Sequence, residues 1–69
     1  MNDPQHATLV RWYRSEGDVV CLGERICEIA TENATVDIES PNDGVLRQLG
    51  KVGDRINAGT DFARIDPIH

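Results

Sequence analysis

The sequence predicts an all-β fold, a flattened β-sandwich or barrel of two small antiparallel sheets with internal pseudo-twofold symmetry. Turn-forming residues divide the 69-residue chain into short stretches rich in β-branched side chains, which is typical of short strands. No stretch keeps a helical period over the roughly 10–12 residues that identify a helix. A self-similarity between the two halves of the chain indicates two copies of one unit that share a core.

The internal repeat indicates which apolar positions belong to the core. Residues 17–23 (GDVVCLG) resemble residues 53–59 (GDRINAG), which gives an offset of 36 residues (53 − 17). This offset aligns pairs of positions, and the pairs that are apolar in both copies are the expected core. They are Leu9/Val45, Val10/Leu46, Tyr13/Leu49, Val20/Ile56, Ile26/Phe62 and Ile29/Ile65. Trp12 aligns with Gln48, so this position is expected to be partly exposed.

The turn signals predict three or four short strands in each copy. These signals are Gly17-Asp18, Leu22-Gly23, Pro41-Asn42-Asp43-Gly44, Gly53-Asp54 and Ala58-Gly59. Sheets of such strands are expected to face each other across one core. We expect a single domain over residues 1–69, with its core at about 7–66 and short flexible termini.

Composition and charge exclude several classes of function. The net charge of −5 is spread along the chain, which disfavours nucleic acid and anionic membranes as partners. No apolar run approaches the roughly 20 residues that would span a membrane. Residues 1–7 lack the pattern of a secretion signal. The sequence therefore predicts a cytoplasmic protein, monomeric as an isolated domain.

The chemistry-bearing residues predict neither a metal site nor catalysis. Cys27 aligns with Ala63, so a small residue occupies both copies and Cys27 is expected to be an inert core thiol. Cys21 aligns with Asn57 and is expected on the surface of a turn. Without a secretion signal no disulfide is expected, and the cysteines and histidines lack a zinc spacing. No nucleophile–base pair or phosphate loop is present, so we expect no catalytic residues.

One hairpin occurs in full only in the first copy. Residues 29–39 (IATENATVDIE) end in an alternation of apolar and polar residues over 36–39, as in a strand with one buried face. The polar residues before this strand predict a hairpin tip at Glu32 and Asn33. The pseudo-twofold is expected to set this tip at the opposite end of the domain from the segment after Ile65. A tip that projects into solvent, far from both termini, suits a group that moves between partners.

The ordered motifs resemble the lipoyl domain of the acyltransferase components of 2-oxo-acid dehydrogenase complexes, in the biotinyl/lipoyl carrier family. The resemblance covers roughly residues 7–66 and implies the barrel-sandwich hybrid fold. The matching segments are residues 17–20 (GDVV), 23–24 (GE), 26–29 (ICEI), 34–41 (ATVDIESP) and 43–44 (DG). A biotin carrier would have a Met-Lys-Met tip, which this chain lacks.

The resemblance implies that Asn33, flanked by Glu32 and Ala34, stands at the cofactor-attachment position. In the family the tip reads Thr-Asp-Lys-Ala, and the lysine carries lipoic acid through an amide bond. An asparagine amide nitrogen is not a useful nucleophile, so we expect no lipoyl group on residue 33 as written; lipoate would be expected on a lysine there. Lys51, the only lysine, is expected to be a solvated turn charge. Asn33 also fits a tip because asparagine tolerates left-handed backbone.

Two functions remain open from the sequence. The first is a non-catalytic lipoyl-type carrier domain whose partners are dehydrogenase-complex subunits or a lipoate ligase. The second is an unmodified interaction module that acts as a decoy, a regulator or a structural part. Its docking surface would be acidic, although the same residues are consistent with a solvated face. These residues are Glu28, Glu32, Asp37 and Glu39.

Overall fold

The structure, a computed structural model, describes residues 7–56 and 61–68, and this part of the chain forms seven strands and no helix. The strands are β1 (Ala7–Trp12), β2 (Val19–Val20), β3 (Arg25–Ala30), β4 (Thr35–Glu39), β5 (Gly44–Gln48), β6 (Arg55–Ile56) and β7 (Ala63–Asp66). The predicted all-β class is confirmed. Within these residues, no helix could cross a membrane.

The strands form two antiparallel sheets, and each copy contributes its shortest strand to the sheet of the other copy. One sheet has the order β4-β3-β1-β6 and the other has the order β2-β5-β7. The first copy therefore contributes β2 to the sheet of the second copy, and the second copy contributes β6 to the sheet of the first. This exchange relates the copies as a pseudo-twofold pair, and it confirms the predicted pair of small antiparallel sheets.

Three turns share one hydrogen-bond pattern. In each, the fourth residue donates its N–H to the carbonyl of the first, and its carboxylate accepts the N–H of the first. The third residue is a glycine with φ between 86° and 95°, as a type II turn requires. These turns are 15–18, 21–24 and 51–54. The turn predicted at Ala58-Gly59 lies outside the described residues.

A β-bulge interrupts β1 at Val10. Leu9 lies opposite Ile29 and Arg11 lies opposite Glu28 on β3, so Val10 is an extra residue between two paired positions. A bulge of this kind shifts the alternation of side chains along the strand by one residue. The side chains that follow Val10 therefore face the opposite side from the one that strict alternation predicts.

The bulge corrects the alignment of the two copies. β5 pairs with β7 without a shift, and Leu46 lies opposite Ile65. Leu9 therefore corresponds to Leu46 (46 − 9 = 37), and both leucines are fully buried. The predicted core pairs Leu9/Val45 and Val10/Leu46 were wrong, because the first copy contains one extra residue at this point.

The predicted core pair Tyr13/Leu49 was also wrong. Tyr13 is 40% exposed and Leu49 is 50% exposed. After the bulge, Trp12 lies opposite the buried Cys27 and packs partly against the core, so the next residue points outward. Leu49 occupies the equivalent outward position after β5. Trp12 is half-buried, as its alignment with Gln48 predicted.

The core lies between the two sheets. Its buried apolar residues are Ala7, Leu9, Val20, Ile26, Cys27, Leu46 and Ile56. The half-buried residues packed against them are Trp12, Ile29, Ile38, Phe62, Ala63 and Ile65. The predicted pairs Val20/Ile56, Ile26/Phe62 and Ile29/Ile65 therefore belong to the core. In β4, Ile38 packs inward as predicted, whereas Val36 is 45% exposed.

A second irregularity buries two adjacent residues of β3. Arg25 lies opposite Glu39 and Cys27 lies opposite Ile38, so Ile26 is the extra residue. A regular strand would point two consecutive side chains to opposite faces. The shift in register explains how Ile26 and Cys27 are both almost fully buried. The predicted core position of Cys27 is confirmed.

Gly44 marks the closest approach of β5 to the end of β7. A Cβ atom at this position would overlap the backbone oxygen of Asp66 and lie 2.7 Å from Cγ2 of Ile65. Only a residue without a side chain fits this contact unless β7 moves away.

We expect Gly44→Ala to lower the free energy of unfolding by about 1–3 kcal/mol, since the added methyl group overpacks the sheet. Urea denaturation of the variant and the parent chain measures this change. Elsewhere in a strand, replacing glycine by alanine is stabilising by about 0.5–1 kcal/mol. An unchanged or increased stability would contradict the close approach.

Candidate functional site at the hairpin tip

The tip is a four-residue turn between β3 and β4. Ala30 pairs with Thr35, and residues 31–34 connect them. The N–H of Thr31 donates to the carbonyl of Ala34 at 2.7 Å. The Thr31 hydroxyl donates to the same carbonyl at 3.0 Å and accepts the N–H of Ala34 at 3.2 Å. Thr31 therefore closes the turn through both its backbone and its side chain.

The two central residues of this turn are Glu32 and Asn33. Both are exposed, as is Ala34. Among residues 7–56 and 61–68, neither central side chain has a hydrogen-bond or ion-pair partner. The structure thus places the predicted site residues at the strand-to-strand bend, with their side chains in solvent.

The backbone at Asn33 does not need an asparagine. No described residue other than glycine has a positive φ, so Asn33 is not in the left-handed region. The preference of asparagine for that region therefore does not account for its presence here. Other L-amino acids, lysine included, fit this backbone conformation.

The side chains of the tip cannot form the amide link that a lipoyl group needs. They are a hydroxyl, a carboxylate, a carboxamide and a methyl group, in residues 31–34. Acylation requires an amine with an available lone pair, as on a deprotonated lysine. The carboxamide nitrogen of Asn33 is delocalised into its carbonyl group. Residue 33 therefore does not fit a covalently attached lipoyl group.

Lys51 belongs to a different turn from the tip. It begins the turn 51–54, where its N–H donates to the Asp54 carboxylate at 2.9 Å. This turn is bound to β1 through the N–H of Gly53 and the carbonyl of Leu9, at 2.8 Å. The tip instead joins β3 to β4. Lys51 is exposed, as the sequence predicted.

The tip lies close to the beginning of β1. Thr8, near the start of β1, lies opposite Ala30 at the base of the tip. Because β1 and β3 are antiparallel, the beginning of β1 and the end of β3 share one end of the sheet. The beginning of β1 therefore lies at the same end of the sheet as the tip, whereas the expectation that the tip is far from both termini concerns residues 1–6 and 69, which lie outside the described residues. The end of β7 lies in the other sheet, with Asp66 opposite Val45.

Two of the four predicted acidic residues are paired within the sheet. Glu28 lies opposite Asp37, and Arg11 lies opposite Glu28. Nε of Arg11 is 2.9 Å from Oε1 of Glu28, and Nε of Arg25 is 3.5 Å from Oδ2 of Asp37. The Tyr13 hydroxyl donates to Asp37 at 2.8 Å, and this bond raises the pKa of Tyr13. Both carboxylates therefore have neutralising neighbours.

The other two acids lie at opposite ends of β4. Glu32 is on the tip before the strand, and Glu39 is its last residue, opposite Arg25. Both are exposed. The structure brings Glu28 and Asp37 side by side but does not gather the four acids into one cluster. Sequence reasoning missed the neutralising role of Arg11 and Arg25, which only the strand register shows.

The two cysteines are in contrasting surroundings. Cys21 is exposed at the start of a turn, whereas Cys27 is fully buried on β3. Burial, with a smaller effect of the Asp37 charge, raises the pKa of the Cys27 thiol to about 11. Since the thiolate is the reactive form, Cys27 is shielded both sterically and chemically. Among the described residues, no group of His, Cys, Asp and Glu could hold a metal ion.

Replacing Thr31 with valine removes both hydroxyl hydrogen bonds at the tip and nearly preserves its shape. We expect the free energy of unfolding to fall by about 1 kcal/mol, with faster exchange of the Ala34 amide. Urea denaturation and amide exchange measure these effects. Thr35→Val is the control, since Thr35 is exposed and its hydroxyl has no described partner. Equal effects of the two substitutions would show that the Thr31 hydroxyl does not close the turn.

Iodoacetamide at pH 8 should modify the native protein once, at Cys21. Cys27 should react only when a denaturant exposes it, because its thiol is buried and protonated at this pH. Intact-mass analysis before and after denaturation counts the adducts. Cys21→Ser should give no adduct in the native state. Rapid double modification without denaturant would contradict the burial of Cys27.

Comparisons with known proteins find relatives among the components of 2-oxo-acid dehydrogenase complexes. It is 34% identical over 61 residues to the dihydrolipoyllysine-residue succinyltransferase component of the 2-oxoglutarate dehydrogenase complex of Rickettsia felis, covering 87% of this chain and 15% of that protein. It is 42% identical over 45 residues to the acetyltransferase component of the pyruvate dehydrogenase complex of Rickettsia prowazekii, covering 65% of this chain and 11% of that protein.

A third relative is a different type of subunit. The pyruvate dehydrogenase E1 component subunit beta of Rhizobium meliloti is 34% identical over 62 residues, which cover 90% of this chain and 12% of that protein. The chain thus spans less than a sixth of the length of each of these three relatives. No solved structure matches the chain significantly.

The family comparison covers nearly the whole chain. The biotin/lipoyl family model, described as "Biotin-requiring enzyme", matches residues 1–65. Its domain is a carrier and not a catalytic unit, so this chain is not an enzyme in itself. This match, on a fold of two antiparallel sheets, establishes that the chain belongs to the biotin/lipoyl domain family.

Proposed function

We propose that this chain is a non-catalytic lipoyl-type domain of the 2-oxo-acid dehydrogenase lineage that carries no lipoyl group as written. The observation on which this rests is the hairpin tip, where the exposed residue 33 is an asparagine. The relatives that are components of pyruvate and 2-oxoglutarate dehydrogenase complexes support the lineage. Dehydrogenase-complex subunits and a lipoate ligase are the partners that this lineage favours.

The geometry of the tip supports an intact fold that has lost its site of covalent attachment. Thr31 and Ala34 close the turn, and Asn33 has no described contact that a longer side chain would disturb. Its backbone conformation is also open to lysine. Lys51 does not replace the missing attachment site, because it belongs to a turn at the edge of the sheet next to β1.

Co-expression with a lipoate ligase, followed by intact-mass analysis, tests this proposal. We expect no added mass on the parent chain and one lipoyl group on Asn33→Lys. The double variant Asn33→Lys with Lys51→Arg controls for modification elsewhere and should still gain one group. A lipoyl group on the parent chain, at any residue, would overturn the absence of modification. A folded but unmodified Asn33→Lys would count against the carrier lineage.

An interaction module is the second candidate, and it is favoured by Glu32 on the tip, whose side chain has no partner among the described residues. Glu28 and Asp37 are neutralised within the sheet, so the tip and Glu39 are the parts of the predicted acidic surface most available to a partner. Titration of a decarboxylase subunit with the parent chain and with Glu32→Gln measures this role. Tight binding that weakens in Glu32→Gln supports the module, and its absence argues against it.

The single domain over residues 1–69 and the cytoplasmic location stay predictions.

A further inference from the structure

The hairpin tip is already closed before a partner binds it. The N–H and the hydroxyl of Thr31 both donate to the carbonyl of Ala34, at 2.7 and 3.0 Å, and the hydroxyl also accepts the N–H of Ala34 at 3.2 Å. The strands on either side are paired directly at the base of the turn, through Ala30 and Thr35. A partner that docks on this tip therefore does not have to order a loop, and this lowers the free-energy cost of binding.

The closed tip presents residue 33 outward in a backbone conformation that lysine shares. Glu32, Asn33 and Ala34 are exposed. The three hydrogen bonds of the turn join Thr31 to Ala34 and do not use the Asn33 side chain. The backbone of Asn33 lies outside the left-handed region, so it accepts lysine equally well. An enzyme that binds such a tip around a lysine therefore meets the same backbone around asparagine.

The outer face of the sheet beside the tip is small and uncharged. Thr8, Ala30 and Thr35 lie opposite one another across β1, β3 and β4. Their neighbours Leu9 and Ile29 pack toward the core, so this row faces outward. An enzyme surface can approach its hydroxyl and methyl groups without removing a charge from water.

The tip differs chemically from an acceptor of lipoate at a single group. In acyl transfer a neutral lysine amine attacks the activated carboxyl group of lipoate. A C–N bond forms, the bond to the leaving group breaks with its electron pair, and the nitrogen gives up a proton. The Asn33 carboxamide is also an uncharged N–H donor, so it suits surroundings that receive a neutral amine. Because its nitrogen lone pair is delocalised, no bond forms and the chain leaves unchanged.

We propose that the unmodified tip binds a lipoate ligase in place of an acceptor domain, so that the chain is a competitive inhibitor of lipoylation. This inference rests on the proposed function, from which it takes the ligase as the partner. Binding energy from parts of a substrate that do not react is retained when only the reacting group is changed. The chain has the closed turn and lacks the amine, which makes it a substrate analogue that cannot react.

The side chains set a bound on how much weaker this binding is. Lysine has four methylene groups between its Cα and its amine, whereas asparagine has a single one before its carboxamide. If the ligase buries the whole lysine stem, the loss of three methylene groups weakens binding about 60-fold, or about 2.4 kcal/mol. We therefore expect an inhibition constant no more than about 60 times the KM of an acceptor domain.

The experiment measures lipoylation of a separate acceptor in the presence of this chain. The acceptor is the Rickettsia felis succinyltransferase component, produced without lipoate, and the reaction contains a lipoate ligase, lipoate and ATP. We expect the parent chain to raise the KM for the acceptor and to leave kcat unchanged. With the acceptor at its KM, a chain concentration of about 100 times that KM should lower the rate to half or less. Direct titration of the ligase should give a dissociation constant equal to the inhibition constant.

Three variants test whether the tip is the surface that binds. Asn33→Lys should become a second substrate, which gains one lipoyl group and still competes. Asn33→Asp has nearly the same shape, but its ionised carboxylate cannot donate and is costly to desolvate, so the inhibition constant should rise by at least about tenfold. Asn42→Asp is the matched control, since it makes the same charge change on an exposed residue beyond the other end of β4. It should inhibit as the parent chain does.

An unchanged rate at about 100 times the KM of the acceptor would overturn the proposal. A lower kcat at unchanged KM would also overturn it, because the chain would then bind a site other than that of the acceptor. Equal inhibition by Asn33→Asp and the parent chain would overturn the tip as the binding surface. The mass of Asn33→Lys separates these failures from failure of the proposed function. If this variant is lipoylated, only the inhibition is lost, whereas an unmodified variant counts against the carrier lineage as well.

Discussion

The fold depends on a reciprocal set of backbone hydrogen bonds between the two halves of the chain. Leu9 exchanges bonds of 2.8 and 3.0 Å with Gly53 and Asp54, and Leu46 exchanges bonds of 2.8 Å with Gly17 and Asp18. Each fully buried leucine is thus fixed by a Gly-Asp turn of the other half. Because these bonds join residues far apart in sequence, neither half can complete its sheet alone. The small core and the two sheets form together.

The bulge at Val10 determines which side chains lie on the outer face of the larger sheet. By inserting one residue, it turns Trp12 toward the core and Tyr13 toward solvent, where the Tyr13 hydroxyl reaches Asp37. It also aligns Arg11 with Glu28. A row of charged side chains, Arg11, Glu28 and Asp37, then crosses three strands, and its two carboxylates are paired with arginines. The outer face is therefore less acidic than the net charge of −5 indicates.

The tip shows how scaffold and chemistry are separable in this family. Thr31 and Ala34 hold the turn closed, and Asn33 takes part in none of these bonds. The hydrogen bonds that shape the turn therefore do not involve the side chain at residue 33. The closure of the turn and the chemistry available at residue 33 are therefore set by different residues.

The sequence by itself determined the all-β class, the glycine turns, the hairpin tip and the absence of an amine at residue 33. These features follow from local signals, namely turn residues, alternation and side-chain chemistry. Only the tertiary structure decided the register, the exposure of Tyr13 and Leu49, and the pairing of Glu28 and Asp37 with arginines. The physical reason is that a bulge leaves no mark on apolar patterning, and the side chains that meet across strands are set by the pairing of segments distant in sequence.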